Sequence, residues 1–213
     1  LIHDIARTIN ADPRVRDRLK VVYLPNYSVS LAEIVIPAAD LSEQISTAGT
    51  EASGTGNMKF ALNGALTIGT WDGANIEIAE EVGSENIFIF GHTTEQLEKL
   101  RRNGYNPSEW VAGDPELSRV MDTIGNNRLD PMEPALFQDI TFNLFNSGDF
   151  YYHVADYRMY VERQQEVSEL YKDSRAWARK AAFNVARSGK FSSDRTIHEY
   201  AEEIWGIKPV PII

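Results

Sequence analysis

A chain of 213 residues, 43% of them hydrophobic and 24% charged, is long enough to bury a sizeable core and has the composition of a globular protein. Its net charge of −10 repels phosphate backbones and argues against nucleic-acid binding. The sequence has no cysteine, which excludes disulfides and thiolate metal sites, and no apolar run of the roughly 18 residues that a membrane-spanning helix needs.

The first half of the chain alternates helical patterns with short apolar runs. Ile2, Ile5 and Ile9 recur at helical spacing and predict a helix over residues 1–11, with no capping residue ahead of it. We therefore expect the sequence to be a piece of a longer chain. The elements predicted next are strands over residues 20–25, 41–47, 66–71 and 86–91, and helices over residues 30–36, 57–63 and 74–82. This alternation predicts a mostly parallel sheet covered by helices.

The second half of the chain is predicted to be mainly helical. Glycines separate long amphipathic stretches, which predict helices over residues 94–103, 115–124, 133–146, 153–171, 174–188 and 194–205. We accordingly divide the chain into an α/β region, residues 1–93, and a mainly helical region, residues 94–213, of the same domain.

The segment from Gly49 to Phe60 carries the clearest chemical signal. Three glycines and several hydroxyl or amide side chains precede an apolar helix, so backbone N–H groups and the helix dipole can face an anion. The alternative is a plain flexible turn. The spacing of Gly54 and Gly56 fits neither the dinucleotide-binding nor the Walker pattern, because Lys59 stands where the first needs a glycine and follows Met58 where the second needs one.

Lys59 has both a functional and a structural interpretation. Its predicted place in the first helical turn and its apolar neighbours favour a neutral amine, the form that reacts with an aldehyde. Pyridoxal phosphate carries its aldehyde and phosphate arm on adjacent ring carbons, and Thr55 and Lys59 are four residues apart, so one helical turn could contact both groups. The alternative is a surface lysine on an apolar helix, and spacing alone favours it.

Longer motifs resemble a known family. Those motifs are residues 37–49, 51–59, 62–70, 72–75 and 191–197, followed by Ile204-Trp205. Together they closely resemble the C-terminal domain of α-glucan (glycogen or maltodextrin) phosphorylases. The resemblance implies a Rossmann-like domain of the GT-B glycosyltransferase fold, followed by C-terminal helices. One departure is Ser28, where animal members of the family place an arginine, which would weaken phosphate binding or mark a bacterial-type member.

The resemblance also implies roles for individual residues. Lys59 corresponds to the lysine that holds pyridoxal phosphate as an imine. Thr55, the Gly56 amide and Tyr27 correspond to other cofactor contacts. Glu51 corresponds to the carboxylate that accepts a sugar hydroxyl, and Ala52, Ser53 and Gly54 to the backbone turn over the glucosyl unit.

The implied activity is phosphorolysis of α-1,4-glucan by inorganic phosphate, giving α-D-glucose 1-phosphate, with pyridoxal 5′-phosphate as proton donor and acceptor. The resemblance implies a cytoplasmic enzyme that is a homodimer as a full-length protein and has no nucleic-acid or membrane partner. Because the family draws other active-site groups from outside these motifs, the 213 residues alone should be inactive.

Two rival functions remain open at this point. A sugar-nucleotide glycosyltransferase shares the architecture but needs no lysine partner for an aldehyde, and a non-catalytic carbohydrate-binding module needs no cofactor.

The four histidines show no metal-ligand spacing, so no metal site is expected. Asp72 could cap the helix from Ala74 or orient active-site groups, and we favour the structural role. Tyr151, Tyr152, Tyr157 and Tyr160 are expected to pack in the core rather than form a sugar platform.

Overall fold

The helices and strands are those of a computed structural model, which describes residues 1–208 and residue 210. In chain order they are α1 (Ile2–Ala11), α2 (Val29–Val35), β1 (Leu41–Gln44), α3 (Gly56–Leu62), β2 (Leu66–Thr70), α4 (Ala74–Val82), β3 (Phe88–Phe90), α5 (Thr94–Arg102), α6 (Pro107–Gly113), α7 (Pro115–Gly125), α8 (Gln138–Phe145), α9 (His153–Tyr171), α10 (Ser174–Arg187) and α11 (Ser193–Glu199). Short 3-10 turns occur at Arg16–Arg18, Ser84–Asn86 and Ser188–Phe191, and a π-helical turn, Tyr200–Trp205, follows α11.

The strands of the described residues form one parallel sheet in the order β1-β2-β3. Leu41 is in register with Leu66, and Ile68 with Phe88. All of β2 is buried, as expected for the middle strand of a parallel sheet. The predicted α/β class with a parallel sheet is confirmed.

The chain divides into two compact units, and each draws on both halves of the sequence. The first unit comprises Leu1–Ala32 and Gly91–Met159, and the second comprises Glu33–Phe90 and the described residues from Tyr160 onward. The second unit therefore contains the whole sheet together with the helices at the end of the chain. Our division at residue 93 follows chain order instead, and stays a prediction about domains.

The core of the second unit lies where α3 and α4 pack beside the sheet. Ala61 of α3 and Ile78 and Val82 of α4 are fully buried and form one cluster with Ile87. Phe191, after α10, packs against the same cluster. Burial of the apolar faces of these two helices thus fixes where α3 begins relative to the strands.

The core of the first unit is helical. Val111, Leu117, Met121 and Val154 form its buried cluster. Asp114 caps α7, because its carboxylate accepts hydrogen bonds from the first N–H groups of that helix. The same carboxylate accepts a hydrogen bond from Arg158 Nε at 2.8 Å, which ties α9 to the start of α7.

The predicted strand over residues 20–25 is wrong. The segment has no regular structure, and Val22 and Leu24 are exposed. The backbone N–H and C=O of Val21 both pair with the side-chain amide of Asn10, at 2.9 and 2.8 Å. A side chain of the preceding helix thus satisfies the polar groups that a neighbouring strand would otherwise satisfy.

Other boundaries differ for local reasons. The helix predicted over residues 133–146 begins only at Gln138, after a run of turns that contains Pro131 and Pro134. Helix α6 was missed, although Asn106 caps it and Pro107 occupies its first turn. The strand predicted to run to Thr47 ends at Gln44. The helix predicted over residues 194–205 is α-helical to Glu199 and continues as the π-helical turn.

Candidate active site

The candidate site lies where β1 and β2 end. Parallel neighbours finish at the same edge of a sheet, and ligands of open α/β sheets bind outside the carboxyl ends of the strands. Here β1 ends at Gln44 and β2 at Thr70. The glycine-rich segment leads from β1 to α3, and residues 71–73 lead from β2 to α4. The second unit thus brings the two loops to one edge of its sheet.

The turn over residues 51–54, which we call the glucosyl turn after the role that the family resemblance predicts, lies against the start of α4. The N–H of Ala74 donates to the carbonyl oxygen of Ser53 at 2.6 Å. Glu51, Ala52 and Ser53 are exposed. Their exposed groups can therefore reach a ligand while the backbone of the turn stays fixed.

Lys59 lies on the exposed side of α3, one turn from the start of the helix. Its N–H donates to the carbonyl oxygen of Thr55 at 3.2 Å, so Thr55 and Lys59 occupy the same helical turn, as predicted from spacing. The buried residues of α3 are Asn57 and Ala61. Its apolar neighbours in sequence, Met58 and Phe60, are half-buried, whereas Lys59 itself is exposed. The neutral amine stays a prediction. Among the described residues, no carboxylate forms an ion pair with Lys59.

The start of α3 has the features of an anion site. Thr55 is the N-cap residue, but its hydroxyl makes no capping hydrogen bond. The first N–H groups of a helix have no intrahelical acceptor and carry the positive end of the dipole. A Cβ built on Gly56 would meet no described atom within 4 Å. A phosphate group could approach the backbone closely there.

Asp72 does not cap α4, contrary to our expectation from the sequence. The N-cap residue of α4 is Gly73, and it makes no side-chain capping bond. The buried carboxylate of Asp72 instead accepts hydrogen bonds from Gly49 N at 2.7 Å, Glu51 N at 2.9 Å and Ser46 Oγ at 2.8 Å. Its role is therefore to hold the loop that leads from β1 to the glucosyl turn.

Two buried asparagines, which sequence reasoning missed, connect the same elements. The amide nitrogen of Asn75 donates to the carbonyl oxygens of Gln44 and Thr70, both at 3.1 Å, and its amide oxygen accepts from Asn57 Nδ2 at 3.1 Å. Asn75 thus links the ends of β1 and β2 to the start of α3. The motif Asp72-Gly73-Ala74-Asn75 directly after a strand was the available signal, since polar residues at that place usually serve a site.

Of the site residues predicted from the sequence, all but one belong to the second unit. Those are Glu51, Ala52, Ser53, Gly54, Thr55, Gly56 and Lys59. Tyr27 belongs to the first unit, where its side chain is 61% exposed. The structure therefore brings together the glucosyl turn, the start of α3 and Lys59 within the second unit. The predicted role of Tyr27 stays a prediction.

The four tyrosines have separate environments. Tyr160 belongs to the second unit, donates to the carboxylate of Glu43 at 3.1 Å, and has its pKa raised by burial and by that negative charge. Tyr152 is buried in the first unit, whereas Tyr151 is exposed. Core packing thus describes Tyr152 but not Tyr151.

The described part of the chain holds neither a metal-binding cluster nor a helix that could span a membrane. No group of three or more His, Asp or Glu residues there is arranged to hold a metal ion. No helix there combines the length and the apolar character needed to cross a bilayer.

Comparison with known proteins places this sequence in a family. Residues 1–207 match the family model of carbohydrate phosphorylases. The chain is 57% identical to the muscle form of glycogen phosphorylase from Mus musculus over 209 residues, which are 98% of this chain and 25% of the mouse protein. It is 58% identical to the muscle form from Bos taurus, with the same coverage. It is 56% identical to glycogen phosphorylase from Pasteurella multocida (strain Pm70) over 210 residues, 99% of this chain and 26% of that protein.

The chain thus spans about a quarter of the length of the relatives it matches. The family match covers residues 1–207, a range that includes the glycine-rich segment, Lys59 and the Asp72 loop. The resemblance stated from the motifs is confirmed: this chain belongs to the carbohydrate phosphorylase family.

Proposed function

We propose that these residues form the cofactor-binding part of a pyridoxal-phosphate-dependent α-glucan phosphorylase. The enzyme would cleave α-1,4-glucan with inorganic phosphate and release α-D-glucose 1-phosphate. The observation that carries the proposal is that Thr55, Gly56 and Lys59 share the first turn of α3, beside the glucosyl turn, in a chain whose relatives are named glycogen phosphorylases. A sugar-nucleotide glycosyltransferase would have no use for this lysine.

The residues present fit the cofactor. The amine of Lys59 is exposed and free of an ion pair among the described residues, so it is available for covalent attachment to an aldehyde. The Thr55 hydroxyl and the Gly56 N–H would bind the phosphate arm, because the hydroxyl makes no capping hydrogen bond and the space beside Gly56 is open. When bound, pyridoxal phosphate would supply a phosphate group that exchanges a proton with inorganic phosphate, rather than an electron sink.

The glucosyl turn would bind the sugar. The Glu51 carboxylate would accept a hydrogen bond from a sugar hydroxyl, and the backbone of Ala52, Ser53 and Gly54 would lie over the glucosyl unit. Support comes from the exposure of this turn and from its fixed backbone, which reduces the entropy lost when the substrate is oriented.

The same proposal includes the fold family and the assembly of the full-length protein. The parallel order β1-β2-β3 with intervening helices supports a Rossmann-like domain of the GT-B fold. We propose that the 213 residues work within a chain of their relatives' length, as a cytoplasmic homodimer, and have little activity alone. Tyr27 would contact the cofactor in that full-length chain.

Chemical trapping tests the proposal directly. The full-length enzyme is treated with borohydride, digested and analysed by mass spectrometry. We expect a reduced cofactor adduct on the peptide that contains Lys59, and loss of the visible absorption band of the cofactor. An adduct on a different lysine, or no adduct in an active preparation, would contradict the assignment.

A second prediction separates sugar binding from cofactor binding. Glu51→Gln in the full-length enzyme should lower kcat/KM for glucan phosphorolysis by roughly ten- to a hundredfold, since hydrogen bonds to charged groups contribute about 1.5–3 kcal/mol. Cofactor content should stay at about one per chain, because Glu51 lies outside the turn that would hold the cofactor. Content is measured from the absorption of released cofactor, and activity by coupled glucose 1-phosphate assay.

Glu33→Gln is the matched control for Glu51→Gln. Glu33 is an exposed glutamate of α2 and belongs to the same unit. It should retain full activity. Loss of cofactor from Glu51→Gln, with normal turnover by the molecules that keep it, would show that Glu51 serves the cofactor instead.

A further inference from the structure

We propose that Asp72 is a positioning residue for the glucosyl turn and acts on the substrate through Glu51. The inference rests on the proposed function, because it concerns the same turn. Asp72 contributes no group to the proposed cofactor or sugar contacts. Its buried carboxylate instead determines where the backbone at Gly49 and Glu51 lies.

The carboxylate of Asp72 accepts hydrogen bonds from the loop before the turn and from Glu51, the first residue of the turn. Oδ1 accepts from Gly49 N at 2.7 Å, and Oδ2 accepts from Glu51 N at 2.9 Å and from Ser46 Oγ at 2.8 Å. Asp72 is only 4% exposed, so water cannot replace these donors without rearrangement. The loop is therefore held at three points by one side chain.

The chemistry of this contact requires a carboxylate. An ionised aspartate only accepts hydrogen bonds, and here both oxygens face donors. An asparagine would turn an NH₂ group either toward Gly49 N or toward the pair formed by Glu51 N and Ser46 Oγ. Either orientation sets donor against donor in a buried place, so an isosteric change should displace the loop.

Gly73 allows the same turn to lie close to the start of α4. Its φ of +52° favours glycine, and a Cβ there would lie 2.6 Å from the carbonyl oxygen of Ser53 and 3.0 Å from Glu51 Cγ. The hydrogen bond from Ala74 N to Ser53 O holds the turn in this close contact with the start of α4. The Asp72 carboxylate thus holds the entry of the segment that presents Glu51, and the Ala74 N–H holds its end.

The experiment compares two buried aspartates in the full-length enzyme. Asp149 is 2% exposed and accepts hydrogen bonds from two backbone N–H groups, His153 and Val154, and from the hydroxyl of Tyr105. It thus matches Asp72 in burial and in donor types but belongs to the first unit. Asp72→Asn and Asp149→Asn should therefore both lower thermal stability, whereas only Asp72→Asn should disturb the glucosyl turn.

The first measurement is hydrogen exchange, which does not depend on activity. Peptides that contain Gly49 and Glu51 should exchange faster in Asp72→Asn than in the wild type, with or without cofactor, and should be unchanged in Asp149→Asn. Unchanged exchange of these peptides in a folded Asp72→Asn protein would overturn the proposal.

The second measurement asks whether Asp72 acts through Glu51. Asp72→Asn should lower kcat/KM by up to about a hundredfold, as expected for a misplaced substrate contact, while cofactor content is kept. The double variant Asp72→Asn/Glu51→Gln should lose little more than Glu51→Gln alone, because the two changes remove the same contact. Additive losses would show that Asp72 has a separate role and would overturn the proposal.

The two proposals fail in different ways. If only this one is wrong, Glu51→Gln is impaired while Asp72→Asn is as active as Asp149→Asn. If the sugar contact itself is wrong, Glu51→Gln keeps full activity. Asp72 can then have no influence on activity through Glu51. Should Asp72→Asn fail to fold, Ser46→Ala removes one of the three hydrogen bonds and is expected to raise exchange in the same peptides by a smaller amount.

Discussion

Replacing Lys59 with alanine in the full-length enzyme is expected to remove most of the bound cofactor and to lower phosphorolysis by roughly a thousandfold or more, since the residue would hold the cofactor covalently. Fold stability should change little. Lys59 is exposed on α3 and makes no ion pair among the described residues, and alanine is favourable in a helix. Cofactor absorption, coupled assay and thermal midpoint of the apo form are the three measurements.

Two further variants sharpen this prediction. Lys59→Arg keeps the charge, but a guanidinium is always protonated and cannot attach to an aldehyde, so it should fail as Lys59→Ala does. Lys172→Ala changes an exposed lysine of the same unit, which forms a surface ion pair with Glu169, and should leave activity intact. Substantial turnover by Lys59→Ala with cofactor bound would show that covalent attachment is dispensable.

Elements with strong local signals were predictable from the sequence. Helix α4 has the bounds that its apolar spacing predicts, and α5 begins at a capping box formed by Thr93 and Gln96. The segment after Lys20 has the same kind of apolar pattern as a buried strand, but Asn10 occupies its backbone groups. That contact depends on how two segments meet, which periodicity does not encode.

The candidate site, too, was predictable from the sequence only in part. Glycines, hydroxyls and Lys59 are adjacent in sequence, so their grouping at the start of α3 could be predicted. For Asp72 the sequence left open either a cap or the orientation of active-site groups. Its partners could not be predicted, because Gly49 and Glu51 lie 23 and 21 residues earlier and meet it only once β1 and β2 pair. The local rule for an aspartate ahead of a helix predicts a cap, and here tertiary contacts override it.

The glycine in β2 illustrates a constraint that only the register reveals. Gly69 is in register with Gln44 of β1. A Cβ built on Gly69 would lie 2.6 Å from the carbonyl oxygen of Gln44 and 2.6 Å from Asn75 Nδ2. Both neighbours belong to the connection that joins β1, β2 and the start of α3, so the absence of a side chain at residue 69 allows Asn75 to reach both strands.

Gly69→Ala should accordingly damage both the sheet and the site. Overpacking costs about 1–3 kcal/mol, and a buried amide deprived of its acceptors adds about 1–3 kcal/mol. We expect a clearly lowered thermal midpoint, faster hydrogen exchange in β2, and reduced cofactor content, since Asn75 also holds Asn57 at the start of α3. Gly189→Ala, in the same unit and with no described atom within 4 Å of the added Cβ, should match the wild type in all three measurements. A Gly69→Ala enzyme with wild-type exchange in β2 would show that the strands separate readily enough to admit a methyl group, and that Asn75 does not hold the two strand ends together.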